Sequence, residues 1–378
     1  MSDLSRNTYS DVASGDTSVH GHLSDRAFIT AILEFEAALA DAAADAGHIT
    51  LESARAAHDA IDALDATELD LDAVAAASAA GGNPTIPLVA DLKKRAGDAN
   101  GIHVGATSQD AIDTALVLCL RRAGRVLDTR LGDVEKLLSD LATTHRDTPV
   151  MGRTLGQQAL PTTFGVIAAG WLEAVRESAR QLGLALEALP VQYAGATGNL
   201  VDTHPRGIDV HDRLAASLGL ASRPLVWHTN RLPLVSAGLA AAQVAGAVRK
   251  IAGDVIASSA TEIAEVAEAT PGGSSSMPHK ANPAAAVACD GYARRTPGLA
   301  ATLLDTLDSR WQRGTGSWHA EWQTIREIFA ATASAVNRIH ASLNGLRVHT
   351  ETMAQRTTGD HTGHAAEITD LILEGDHR

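Results

Sequence analysis

Residues 116–141 read LVLCLRRAGRVLDTRLGDVEKLLSDL. Apolar side chains recur in this stretch at every third or fourth position, which is the spacing of one face of an α-helix. Pro149 follows and cannot continue a helix. The pattern therefore predicts one helix of about seven turns or more. The residues of its apolar stripe are Leu116, Leu120, Ala123, Leu127, Leu131, Val134, Leu138 and Leu141.

Similar stripes predict four further long helices, at about residues 161–189, 234–269, 283–308 and 321–343. Long helices with apolar stripes must bury them against one another, so we expect an all-α protein built as an elongated helix bundle. Aromatic residues make up only 3% of the chain, and alanine, the best helix former, is abundant.

We divide the chain into three expected regions by the breaks between these patterns. They are an N-terminal helical domain over 1–102, a central long-helix domain over 103–345, and a helical tail over 346–378 that is too short to form a domain.

Composition narrows the function classes. The chain of 378 residues carries a formal net charge of -14, which argues against a nucleic-acid partner because such proteins usually have a basic surface. Residues 1–20 are polar, and no run of about 18 apolar residues is evident, so we expect neither a leader nor a membrane span but a cytoplasmic protein. The two cysteines, Cys119 and Cys289, lie in apolar helical contexts and are expected to be buried thiols.

The loop between the third and fourth helices carries the densest chemistry. Residues 271–283 read PGGSSSMPHKANP. Its two glycines suit a lid that opens and closes, and its three serines supply hydroxyl groups. Lys280 and Asn282 supply a cation and an amide, a pair suited to gripping a carboxylate. Pro283 then starts a helix, whose N-terminus favours anions. The loop therefore predicts an active site for a small carboxylate substrate.

The segment GGSSSMPHKANP, residues 272–283, resembles the signature of the fumarase/aspartase superfamily. HVGATSQD (103–110) and GRTLGQQALPTTFG (152–165) resemble its other two signature regions. Within the superfamily, GNPTIPLV (82–89), WHTNR (227–231) and WHAEW (318–322) look most like the 3-carboxy-cis,cis-muconate cycloisomerase branch. The resemblance implies an all-α fold, and it implies that the tail is the remnant of a larger C-terminal helical domain.

The resemblance also implies roles for residues at matching positions. Ser274 lies six residues before Lys280, as the catalytic serine of the superfamily does, and His103 resembles an active-site histidine. The implied catalytic residues are Ser274, His103 and Lys280, and the implied substrate-binding residues are Thr107, Ser108, Arg153, Gln157, Arg231, Ser275 and Asn282.

Several of these roles have a structural alternative. Ser108 suits a helix cap as well as a substrate ligand, and Ser275 suits a hydrogen bond within the loop. Arg153 and Gln157 suit either carboxylate binding or positioning of the chain. Arg231 suits either an anion ligand or an ion pair.

One position departs from the superfamily pattern. Lyases of the superfamily usually carry a histidine after the GRT-type triplet, as a proton donor to the leaving group, and here that position is Leu155. A hydroxide or amine leaving group needs that proton. A carboxylate does not, because its pKa of about 4 leaves it ionised at neutral pH. Leu155 therefore favours lactone formation by the substrate's own carboxylate, with a related lyase or a silent scaffold as alternatives.

No cofactor or metal is expected. The glycine-rich stretches match neither GxGxxG nor a P-loop, which argues against a bound nucleotide. His20 with His22, and Asp360 with His361 and His364, are weak metal patterns that we interpret as structural or exposed. The resemblance implies a homotetramer in which three subunits supply one signature region each to every site.

Overall fold

The computed structural model describes residues 18–359 and 361–375, so Asp360 lies outside the described part of the chain. The long helices dominate and the strands are short, which confirms an all-α protein. The helices are α1 (Ser18–His22), α2 (Asp25–Asp45), α3 (Leu51–Asp62), α4 (Leu71–Ser78), α5 (Thr85–Ala96), α6 (Ser108–Thr144), α7 (Phe164–Glu187), α8 (Gly207–Leu218), α9 (Leu232–Ser258), α10 (Ala284–Ala293), α11 (Thr296–Asp305), α12 (Gly316–Leu343), α13 (Thr350–Arg356) and α14 (Ala365–Glu374). The strands are β1 (Pro149–Thr154), β2 (Gln157–Thr163), β3 (Val266–Ala267) and β4 (Arg347–Val348).

Helix α6 confirms the prediction from the apolar stripe. It starts eight residues before Leu116, at Ser108, and its 37 residues extend about 55 Å at 1.5 Å per residue. Seven of the eight stripe residues are buried, and Leu141 is half-buried. The stripe packs chiefly against α7, α2 and α12, so α6 is the central element of the bundle.

Three stretches differ from the sequence prediction. The third helix ends at Ser258 rather than near 269, and the chain beyond it does not resume a helix, since Ala264 takes a non-helical φ of 47° and the next residues form β3. The predicted helix over 283–308 is two helices, α10 and α11. Pro297 stands near the start of α11, where a proline is tolerated, and it cannot continue α10 because it lacks an N–H. Residues 149–163 form an antiparallel hairpin of β1 and β2 that the periodicity did not predict.

Helix α9 is the most apolar of the long helices. By length and composition it is the one described helix that would suffice to cross a membrane, which the sequence reading did not anticipate. It packs against α7, α10 and α12, and its inward side chains, such as Val244, Val248 and Ile251, are fully buried. Its apolar composition is thus explained by its packing in the core of the bundle. Cys119 and Cys289 are free buried thiols, as expected.

The three central helices α6, α9 and α12 run in the same direction. Arg231, just before α9, forms ion pairs with Asp113 in the second turn of α6 and with Glu321 near the start of α12. At the opposite end, β3 follows α9 and pairs with β4, which follows α12. We call the first the Thr107 end and the second the Ser274 end, after the site residues beside them.

Candidate active site

Thr107 is held rigidly at the start of α6. It is the N-cap of the helix, one residue before Ser108, which was the capping residue considered from the sequence. The fully buried carboxylate of Asp110 accepts the Thr107 N–H at 2.9 Å and two further N–H groups from Ala194 and Gly195. It also binds His228 Nε2 at 2.7 Å. A buried carboxylate with this many donors fixes the backbone on which the Thr107 and Ser108 hydroxyls stand.

Arg231 is buried at the same end of the bundle. Its guanidinium is fully buried, donates to both oxygens of Asp113 at 2.8 and 3.0 Å, and donates to Glu321 at 2.7 Å. Burial opposes the charge, but the two carboxylates outweigh it and raise the pKa of Arg231. With its donors committed to these acceptors, the side chain is not available to a substrate. The placement corresponds to the ion-pair alternative and not to the anion ligand.

Arg313 was not singled out from the sequence. It precedes α12 and reaches across to the start of α6, where its Nη1 donates to Thr107 Oγ1 at 2.5 Å and its Nη2 to Ser108 Oγ at 3.3 Å. Its Nε lies 3.4 Å from Gln109 Oε1. Arg313 is half-buried, and among the described residues no carboxylate forms an ion pair with it. A cation without an acidic partner there thus contacts the two predicted substrate-binding hydroxyls. Such a fork of donors matches a carboxylate.

His103 lies four residues before Thr107, in a turn with a φ of 58°. A left-handed conformation costs a non-glycine residue about 1–3 kcal/mol, and hydrogen bonds here offset that cost. Glu36 in α2 accepts both the backbone N–H and the Nδ1 of His103, at 2.8 and 2.7 Å. Burial disfavours the charged ring, but the Glu36 carboxylate outweighs it and raises the pKa of His103. The ring is thus held at the Thr107 end with 14% of its surface exposed.

The loop over residues 271–283 lies at the Ser274 end and is closed at its base. Gly272 and Asn282 exchange two backbone hydrogen bonds of 2.8 and 2.9 Å. The Asn282 side chain donates to the carbonyl oxygens of Gly272 and Gly273. Its amide therefore secures the loop, and its role as a substrate ligand remains a prediction.

Ser274 lies two residues after Gly272, within the loop that this pairing closes, and is half-buried. Its Oγ accepts the backbone N–H groups of Ser276 at 3.4 Å and Met277 at 3.2 Å. Donors aimed at a hydroxyl oxygen stabilise its deprotonated form more than its neutral form, which is the activation that a serine needs to act on a proton. Ser275 and Lys280 extend from the same loop into solvent.

The second signature region is the hairpin of β1 and β2. Its two-residue turn is Leu155–Gly156, and both residues take a positive φ, of 53° and 78°, as a type I′ turn requires. Leu155 is completely exposed at the tip, and Leu160 is 77% exposed. Gln157 is also exposed, at the start of β2.

Arg153 anchors that hairpin to the bundle. Its guanidinium binds both oxygens of the buried Glu265 carboxylate, at 2.8 and 2.5 Å, and this hydrogen bonding raises its pKa. Glu265 lies between α9 and β3, so the hairpin and the serine loop belong to the same end of the bundle. The contact corresponds to the positioning role for Arg153 rather than to a free carboxylate ligand.

The predicted site residues therefore form two groups within one chain. His103, Thr107 and Ser108 lie at the Thr107 end, while the hairpin and Ser274 lie at the other. The 27 residues of α9, which connect the two ends, span about 40 Å. A substrate of a few ångströms cannot touch both groups in a single chain.

Comparison with known proteins agrees with the all-α fold. Residues 9–298 match the family model described as Lyase. Nitrosuccinate lyase of Streptomyces davaonensis is 40% identical over 92% of this chain and 76% of its own length. The 3-carboxy-cis,cis-muconate cycloisomerase of Pseudomonas aeruginosa is 38% identical over 99% of this chain and 83% of its own. The solved structure of 3-carboxy-cis,cis-muconate lactonizing enzyme from Pseudomonas putida superposes with a TM-score of 0.85 at 33% identity, covering 98% of this chain and 88% of that one. This chain therefore belongs to the lyase family, the fumarase/aspartase superfamily of enzymes.

Proposed function

We propose that this enzyme is a cycloisomerase that interconverts 3-carboxy-cis,cis-muconate and 4-carboxymuconolactone. The observation that carries the proposal is Leu155, which stands at the tip of the hairpin where a protonating histidine would otherwise stand. Relatives and a solved structure named for this reaction support it at 38% and 33% identity. The reaction belongs to the breakdown of protocatechuate, and we expect the protein in the cytoplasm.

The chemistry balances with a single proton transfer. A carboxylate oxygen of the substrate forms a bond to a carbon of the conjugated double bond, and the displaced electron pair moves onto a neighbouring carboxylate. Lys280 and the donors of the loop stabilise that developing charge. The adjacent carbon then takes a proton from Ser274, whose hydroxyl is restored by solvent. Nothing leaves the molecule, so no second acid is needed.

A complete site requires more than one copy of the chain. Arg313 with Thr107 and Ser108 offers a carboxylate subsite at one end, and the serine loop offers the proton at the other. The exposed Leu155 and Leu160 supply apolar surface that suits contact with another subunit. We propose a homotetramer in which three subunits contribute to each site.

Elimination of nitrite from nitrosuccinate is the second candidate. The 40% identity to nitrosuccinate lyase favours it, and Leu155 does not argue against it, because nitrite, like a carboxylate, is a weakly basic anion that leaves without a proton. Ser274 would then remove a proton from carbon, the C–N bond would break, and fumarate and nitrite would form. Leu155 does argue against adenylosuccinate and argininosuccinate, whose leaving nitrogen must be protonated.

One set of assays separates these candidates. We expect the protein to remove the absorbance of 3-carboxymuconate, with nitrosuccinate, adenylosuccinate, argininosuccinate and fumarate tested in parallel. Fumarate formation from nitrosuccinate, with no change in 3-carboxymuconate, would replace the first candidate by the second. Inactivity towards every substrate would favour the silent scaffold.

Light scattering tests the assembly, and a fully active monomer would contradict it. Mixing an inactive Ser274→Ala chain with an inactive Thr107→Val chain tests the shared site. Partial recovery of activity in the mixture is expected, because some sites then combine two intact regions.

A further inference from the structure

The pair of His103 and Glu36 contains a buried carboxylate that none of the predicted site residues accounts for. Glu36 is fully buried in α2. It does not pair with an arginine or lysine of the described residues, as buried acids usually do. Instead both of its oxygens bind His103, one the backbone N–H and the other Nδ1. This arrangement uses a buried carboxylate to hold one residue in one orientation.

We infer that Glu36 is the positioning residue of His103, fixing the proton on Nδ1 and directing Nε2 to the substrate. A carboxylate oxygen 2.7 Å from Nδ1 accepts a hydrogen bond, so Nδ1 carries the hydrogen in both the neutral and the charged ring. Nε2 is then the atom that gains or loses a proton. Among the described residues only Nδ1 of the ring is seen to form a hydrogen bond, and the side chain is 14% exposed, which leaves Nε2 open to a ligand. The inference rests on the proposed function for the part that concerns turnover.

The charges around His103 define the expected pH response. Glu36 from α2 and Asp110 from α6 favour the charged ring, while Lys93 from α5 opposes it. With Glu36 in place, the ring stays protonated to a higher pH than an ordinary histidine and offers an Nε2–H to a substrate carboxylate. This places a cationic donor four residues before Thr107 in the chain, at the end of the bundle that lacks the serine.

The test compares Glu36→Gln with Glu34→Gln. Both substitutions are on α2, but Glu34 is 40% exposed and pairs with Arg122, away from His103. In Glu36→Gln the alkaline limb of the kcat/KM profile should move to lower pH, since the charge of Glu36, the larger of the two that oppose the effect of burial on the ring, is lost. We expect kcat/KM at neutral pH to fall at least tenfold, since a positioned acid or base contributes about 10²–10⁴-fold. Glu34→Gln should leave the profile unchanged. Glu36→Asp keeps the charge, so its alkaline limb should lie between those of the wild type and Glu36→Gln.

Nuclear magnetic resonance of isotope-labelled histidines gives a reading that does not depend on turnover, with His103→Gln to assign the resonance. The inference predicts the Nδ1–H form of the neutral ring and a lower pKa for His103 in Glu36→Gln. An Nε2–H ring, an unchanged pKa, or an alkaline limb that stays in place in a folded Glu36→Gln variant would overturn it. A wild-type protein inactive on all substrates would instead overturn the proposed function, and the resonance measurement would still decide how Glu36 acts on the ring.

Discussion

The two ends of the helix bundle are built on opposite principles. At the Thr107 end, carboxylates, an arginine and a histidine are fully buried and hydrogen-bonded to one another, beneath hydroxyls that are fixed in place. At the Ser274 end, an exposed loop is closed by one pair of backbone bonds and one amide side chain. The first end is held rigidly, which suits the proposed binding of an anion, whereas the few bonds of the second suit the lid expected of its loop. The difference is what we expect if, as proposed, binding and proton transfer belong to different parts of the chain.

Ser274→Ala is expected to have the largest effect. Turnover should fall by about 10²–10⁴-fold or more, because the proton-transfer group is lost, while the thermal unfolding midpoint stays within experimental error. Steady-state kinetics and calorimetry measure the two quantities. Ser276→Ala is the matched control, since its backbone N–H still reaches Ser274, and it should retain near-normal activity. A near-normal rate in Ser274→Ala would remove the serine from the mechanism.

Arg231→Met tests how much the buried ion pairs at the Thr107 end stabilise the fold. It leaves the buried carboxylates of Asp113 and Glu321 without their shared cation, so the free energy of unfolding should fall by about 3–5 kcal/mol. Urea denaturation measures this change. Arg180→Met, which breaks an exposed pair with Glu177, should change stability by less than about 1 kcal/mol. A stable, folded Arg231→Met protein with weakened substrate binding would return Arg231 to the anion-ligand role.

Arg313→Gln separates binding from stability at the same end. Within residues 18–359 and 361–375 the guanidinium has no acidic partner to leave uncompensated, so the fold should tolerate the change. KM should rise by about tenfold or more, because a charged hydrogen bond is lost. Arg310→Gln, three residues away in an exposed pair with Asp308, serves as the control. An unchanged KM for Arg313→Gln would mean that its contacts with Thr107 and Ser108 serve the fold alone.

Asn282→Ala should have the smallest effect and should be confined to the loop. The variant loses the donor to the Gly272 and Gly273 carbonyls. The closed form of the loop should therefore lose about 0.5–1.5 kcal/mol of stability, and the Gly272 amide should exchange with solvent several-fold faster. The global unfolding midpoint should not change. Equal destabilisation of α6 and the loop would show that the two ends are more closely coupled than their contacts indicate.

The fold was largely predictable because α6, α7, α9 and α12 each carry an apolar stripe at helical spacing. Prediction failed where that signal is absent. The hairpin over residues 149–163 has a Leu155–Gly156 turn, and leucine is an unusual residue for a positive φ, so no turn pattern marked it. Glu36 and Arg313 were missed for another reason: each is a single charged residue in a helical or irregular segment, with no motif around it.

The sequence by itself determined the helix class and the family, and it predicted the chemistry of the serine loop, because these depend on local spacing and on short runs of residues. Only the tertiary structure decided which charges are free and which are paired. Arg231 and Arg313 are both arginines near the start of a long helix, yet the first is fully buried between two carboxylates and the second lies over two hydroxyls. The tertiary structure also separated His103 from Ser274 by the length of α9. The availability of a charge and the distance between two motifs depend on contacts between residues far apart in the chain, and local sequence does not encode those contacts.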